Sequence, residues 1–245
     1  MTLFDVVNRL GFCDFYIAET YMINFVVYYF PVLLFQIIMG TYIYRHFCTA
    51  SVYYFSRVQC RIRWYIKEAA KLYLMVAVYL IIVVAVAAII AALGGGISFT
   101  YDSIILFVYY IIIQSLWLYA FTLLSNVLSV KCGSSNAFAY TLGFQALCML
   151  YFAVLQNYFV FEGVDNVRGR VAALKLNPIS HIVLHWHSSK INSVNDKLNT
   201  FAIDFDLNES VIVCLCIAAA VSVAGGFIIK NQELIVINRE SGGTI

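Results

Sequence analysis

The chain has 245 residues, of which 63% are apolar and 11% charged, with a mean hydropathy of +0.87 and a formal net charge of +2. An ordinary soluble domain is about half apolar and a quarter charged, so this composition excludes a soluble globular fold and makes lipid the solvent for much of the surface. The small net charge gives no reason to expect nucleic acid as a partner. The seven cysteines (Cys13, Cys48, Cys60, Cys132, Cys148, Cys214 and Cys216) lack zinc-knuckle spacing and read as small buried apolar residues.

Residues 1–21 carry no basic leader. Leu3, Val6, Val7 and Leu10 fall at i, i+3, i+4 and i+7, the pattern of a short amphipathic helix lying on the membrane. A bilayer core of about 30 Å needs about 20 largely apolar residues in a helix. Five stretches qualify, at about 22–44, 72–93, 104–130, 137–160 and 210–229. Pro31 is expected to kink the first, and Gly94, Gly95 and Gly96 end the second. The expected fold is all-α: one polytopic transmembrane helix bundle covering 1–245.

Charge sets the expected orientation. The loops 45–71, 131–136 and 230–245 hold nine Lys and Arg: Arg45, Arg57, Arg61, Arg63, Lys67, Lys71, Lys131, Lys230 and Arg239. The opposite short segments, 1–21 and 94–103, hold only Arg9. The positive-inside rule makes the first side cytoplasmic. The N-terminus and the long loop 161–209 are then outside, in a multi-pass plasma-membrane protein.

The stretch "YYFSRVQCRIRWYIKEAAKLY" concentrates this charge. At 100° per residue, Arg57, Arg61, Arg63, Lys67 and Lys71 share an arc of about 160°. Phe55, Val58, Ile62, Tyr65, Ile66, Ala69 and Tyr73 fill the opposite side and are expected to pack on the bundle. Ser56 and Gln59 fit a capping box, so a helix is expected from Arg57 into the second span. Before it, "RHFCTASVYYF" reads as a turn or a short helix. Lipid anchoring and partner docking both account for such a basic segment.

The span interiors hold no Asp, Glu, Lys, Arg or His, which argues against an ion-coupled carrier or a proton pump. Asn24, Gln36, Gln114, Asn126, Gln145 and Gln156 are polar, and they are candidates for interhelical bonding or for a substrate path. No phosphate-binding loop or catalytic Ser/His/Asp set is present, so no enzymatic activity is expected of this chain. In "NPISHIVLHWH", His181 and His185 stand at i, i+4, a spacing that can hold a metal. Ile179, Ile182, Val183, Leu184 and Trp186 also make the stretch an interfacial amphipathic helix, and that reading needs no metal.

Three features in order resemble the permease subunits of type-2 ABC exporters, in particular the small bacterial kind linked to peptide or bacteriocin export and immunity. A span is followed by "RHFCTASVYYFSRVQCRIRWYIKEAAKLY", a tight turn "SVKCGSSN" joins two spans, and "NPISHIVLHWH" precedes the last. The resemblance covers roughly 22–230. It implies a coupling segment seated on a cytoplasmic ABC ATPase, with Arg45, Tyr53, Tyr54, Phe55, Ser56, Arg57 and Arg61 at the contact. It also implies ATP and Mg on that partner, a second permease chain, and short external helices at Asn177, Pro178, His181, His185 and His187 capping the pathway. The family usually has six spans, against five here, and what stands first here resembles its second.

Overall fold

The computed structural model describes residues 2–10, 18–53, 61–94, 96–161, 167–184, 187–199 and 203–232. Among them the chain is helical: α1 Leu3–Leu10, α2 Ala18–Met39, α3 Tyr42–Tyr53, α4 Arg61–Leu93, α5 Tyr101–Cys132, α6 Ser134–Phe161, α7 Val167–Leu176, α8 Asn192–Leu198 and α9 Leu207–Asn231. Four are long and apolar enough to cross a membrane: α4, α5, α6 (over Ser134–Leu155) and α9. The stretch 22–44, expected as a first span, does not run as one helix. It breaks after Met39 at Gly40 and Thr41, and α3 begins at Tyr42.

α5 is the centre of the bundle. Its apolar window is 61% buried, whereas those of α4, α6 and α9 are 17–22% buried. It packs against α9, α6, α4, α1, α3 and α2. Local chemistry defines its ends. Thr100 and Ser103 form a reciprocal capping box, and Asp102 lies in the positive first turn. At the other end Gly133 adopts φ +84°, a conformation that favours glycine, and its N–H donates to the Ser129 carbonyl. α6 starts at the next residue, so the expected turn 131–136 shrinks to one residue.

α1 departs from expectation. Thr2 and Asp5 cap it reciprocally, and Leu3, Phe4, Val6 and Val7 are all buried. That face packs on α5 and α4, not on lipid. An apolar stripe specifies only that a face avoids water, and here neighbouring helices cover it.

α4 is a single helix of 33 residues, about 50 Å long. That exceeds a bilayer core by nearly four turns (about 20 Å), so the basic segment does run into the span. Its expected start at Arg57 lies outside the described residues. Its buried stripe is Tyr65, Glu68, Ala69, Leu72, Val76, Leu80 and Val84. Over 61–73 this is turned by roughly 60° from the apolar arc expected from the sequence. Ile62, Ile66 and Tyr73 are left exposed, and Glu68 is drawn inward. Cysteine burial also differs. Cys214 is buried, but Cys48 and Cys148 are half-buried and Cys132 and Cys216 exposed. Cys13 and Cys60 lie outside the described residues.

Candidate functional site

The sequence singles out two regions, one at each end of the bundle. The first is the junction of α2 and α3. A Cβ at Gly40 would run into the Gln36 carbonyl and approach Ser125 Oγ at 3.3 Å, so this break requires glycine. Three backbone groups flanking the break go to one side chain. Asn126 of α5, fully buried, accepts from the backbone N–H of Ile43 (2.7 Å) and Tyr44 (3.3 Å). Its amide nitrogen donates to the carbonyls of Met39 (2.8 Å) and Thr122 (2.8 Å). Asn126 therefore ties the last turn of α2 and the first turn of α3 to the central helix. Both its donor and its acceptor capacity are satisfied.

Glu68 makes the second tie. Its side chain is only 7% exposed, accepts from Tyr42 (3.0 Å), and lies 3.3 Å from His46 Nδ1 and 2.7 Å from Lys71 Nζ. The first turns of α3 are thus fastened both to α5, through Asn126, and to α4, through Glu68. The end of the bundle holding α3, the start of α4 and the end of α9 is basic. Arg45, Arg61, Arg63, Lys67, Lys71, Lys131 and Lys230 lie there, against Glu68 among the described residues.

Of the expected coupling residues, Arg45 is exposed on α3. Arg61 donates to the Gln232 carbonyl at 2.7 Å and so joins the start of α4 to the end of α9. Tyr53 is the last residue of α3, and Tyr54, Phe55, Ser56 and Arg57 fall outside the described residues. Among the polar span residues, Gln36, Gln114, Asn126 and Gln145 are buried between helices. Gln114 donates to the Ile182 carbonyl (3.1 Å), and Gln145 accepts from Tyr29 (2.6 Å). Both polar atoms of Gln36, Gln114 Oε1, Gln145 Nε2, Thr122 Oγ1, Ser125 Oγ and Trp117 Nε1 are buried without a partner. They all belong to α2, α5 and α6. Asn24 and Gln156 lie on α2 and α6, with their side chains outside the described set.

The second region is the cap of loops between α6 and α9. Asn177 shapes its start, donating to the Cys148 carbonyl and accepting from Ile179 N–H, with Pro178 in the turn. The following stretch is a short 3-10 turn, Ser180–Ile182, and not an amphipathic helix on lipid. Ile179, Ile182, Val183 and Leu184 are all buried. Of the i, i+4 pair only His181 is described, since His185 and Trp186 lie outside the described residues. His181 meets His187 through Ser210 of α9. Sequence spacing held no sign of this, because Ser210 is 23 residues from the nearer histidine.

Hydrogen inventory shows what this triad does. His181 Nε2 faces the Lys175 carbonyl (2.8 Å) and His187 Nδ1 faces the Val183 carbonyl (2.9 Å). Carbonyls only accept, so both nitrogens carry hydrogen. His181 Nδ1 and His187 Nε2 then face Ser210 Oγ at 2.9 and 2.6 Å. With both rings neutral, one hydroxyl hydrogen serves only one of these contacts. Desolvation nevertheless opposes an added proton. It lowers His181 and pushes His187 down to about 3, the nearby His181 adding to the effect. Glu209, held by Lys175 at 2.7 Å, favours charge on His181, as Asp206 does on His187; Lys175 disfavours it on His181. Phe205 stacks on His187 with ring centroids 4.3 Å apart.

Both rings have lowered values, so the opened cap binds more protons than the closed one. The stability they confer is complete above the ordinary value of 6.5 and is lost as pH falls toward about 3. Protection of the Ile182–Leu184 amides against hydrogen exchange, relative to the intrinsic rate at each pH, is expected to fall on acidification from about pH 7 to about pH 5. Unchanged protection over that interval would mean that the triad holds a proton in the closed state. Among the described residues, no group of three or more His, Cys, Asp or Glu comes together as a metal site.

The helices described here define a class, a helical bundle with four helices fit to cross a membrane. No family model, curated protein or solved structure matches the chain.

Proposed function

We propose that the chain is the permease subunit of an ABC exporter of the type-2 class, moving a peptide, lipid-like or drug-like substrate. A separate ATPase binds ATP and Mg, and a second permease chain completes the transporter. The observation that carries this reading is α3. It is a short helix at the basic end of the bundle, fixed to α5 by Asn126 and to α4 by Glu68. Force applied to α3 is delivered directly to the central helix. The positive-inside rule puts this basic end in the cytoplasm, with the N-terminus outside and the C-terminus inside. The partnerless polar atoms on α2, α5 and α6 support a path that opens there. A buried orphan group is costly in one packing, and it finds partners when water or substrate enters.

The test is co-purification of the tagged chain from its own membranes in mild detergent, followed by ATP hydrolysis assays. An ATPase is expected to co-purify. Arg45→Glu, a reversal at an exposed α3 position, is expected to reduce its recovery at least fivefold, in line with a lost charged contact, and to leave membrane insertion intact. Absence of any ATPase from the wild-type preparation would sink the proposal.

A further inference from the structure

A groove of about 490 Å³ opens on the side of the bundle, between α4 and α9. Its walls are Ile62 and Ile66 on one side and Val223 and Phe227 on the other. It exists for two reasons already visible in the helices. The buried stripe of α4 is turned toward Glu68, which leaves Ile62 and Ile66 (59% exposed) outside. Gly226 presents no side chain, so the Tyr65 ring forms the floor beneath it.

The polar groups of the floor are already occupied. Tyr65 donates to the Ser222 carbonyl (3.1 Å), and the Tyr119 and Ser222 hydroxyls bond each other (3.0 Å). A ligand in this groove therefore needs a long apolar part and no polar group along it. The mouth is different. Lys230 lines it, and Lys131 borders an adjoining hollow that shares Phe227. Among the described residues, no carboxylate lines either hollow.

We propose that this groove binds one anionic phospholipid, with an acyl chain along Ile62, Ile66 and Phe227 and its phosphate drawn to Lys230 and Lys131. The site needs only a membrane setting, and it is independent of the transport role proposed above. A zwitterionic lipid would fill the groove equally well but would gain less at the mouth, because its own cation opposes the lysines.

Native mass spectrometry of the full chain in detergent provides the test, with phosphatidylglycerol and phosphatidylcholine of identical acyl chains as probes. The chain is expected to retain one phosphatidylglycerol at least about fivefold more tightly, the effect of one surface cation. Lys230→Gln is expected to remove most of that difference. Gly226→Leu is expected to abolish the bound lipid of either kind, since its Cβ sits 3.7 Å from Tyr65 without clash and its branch fills the groove. Ile66→Trp fills the same space from an exposed wall and guards against a folding failure of the leucine variant. Equal retention of the two lipids would overturn the proposal, as would retention unchanged in both filling variants. So would a lipid admitted only after removal of residues 233–245, or a groove closed by a second copy of the chain.

Discussion

Asn126→Leu is expected to cost on the order of 3 kcal/mol of stability, because it strands two backbone N–H groups and a carbonyl inside the bundle. The groups concerned are Ile43 and Tyr44 N–H at the start of α3 and the Met39 carbonyl at the end of α2. Leucine has nearly the right volume, so loss of packing alone would be small. Asn126→Asp separates the two halves of the tie. A carboxylate still accepts from both N–H groups, and its charge suits a helix N-terminus, but it cannot donate to Met39. We expect the aspartate variant to be nearly as unstable as the leucine one. Unfolding in mixed micelles would measure both. A leucine variant within about 0.5 kcal/mol of wild type, the range of a neutral surface change, would show that α3 is held in place by other contacts.

Gly225→Leu carries the second largest effect. A Cβ at this position would collide with the Tyr65 hydroxyl, and it would stand 2.7 Å from Val127 Cγ2 and 2.9 Å from Tyr65 Cζ. The Tyr65 ring is fixed by its bond to Ser222, and Val127 is buried in α5, so neither side can withdraw easily. α9 would have to move away from both α4 and α5. The expected loss is about 3 kcal/mol, at the upper end of overpacking costs. Gly226→Ala serves as the contrast one residue on. Its Cβ makes ordinary contact at 3.7 Å, and alanine is the better helix former. It is expected to be neutral or mildly stabilising. Equal behaviour of the two variants in thermal unfolding would refute the close approach of α9 at Gly225.

Some of this architecture is legible residue by residue. The apolar runs at 72–93, 104–130, 137–160 and 210–229 are each enclosed by an observed helix, since length and hydropathy alone suffice for that. The continuity of the basic segment into a span also follows from its 3.6-residue period. Rotation of that helix does not follow from period. The apolar arc, centred near Ala69 and Ile62 with Tyr65 at its edge, is pulled round by Glu68, whose partners Tyr42 and His46 lie more than 20 residues away. A lone acid within a basic arc is the one local sign of it. The break after Met39 was hidden for a similar reason. Gly40 and Thr41 look like tolerable span residues until Asn126, over 80 residues on, takes up the freed backbone groups. The Ser210 hydroxyl between two histidines is non-local in the same way, and motif spacing cannot find it.

The central position of α5 has a consequence for how the protein is made. α5 and α6 are joined through Gly133 alone, so they form one hairpin with no slack between them. Yet the most extensive neighbour of α5 is α9, which begins at Leu207, well after that hairpin ends at Phe161. Until it is made, Tyr65 and Tyr119 have no Ser222 to bond, and the surface that Gly225 covers is open. Packing of the central helix is thus completed last, when α9 brings Ser222 to both tyrosines and Gly225 to the Tyr65 ring.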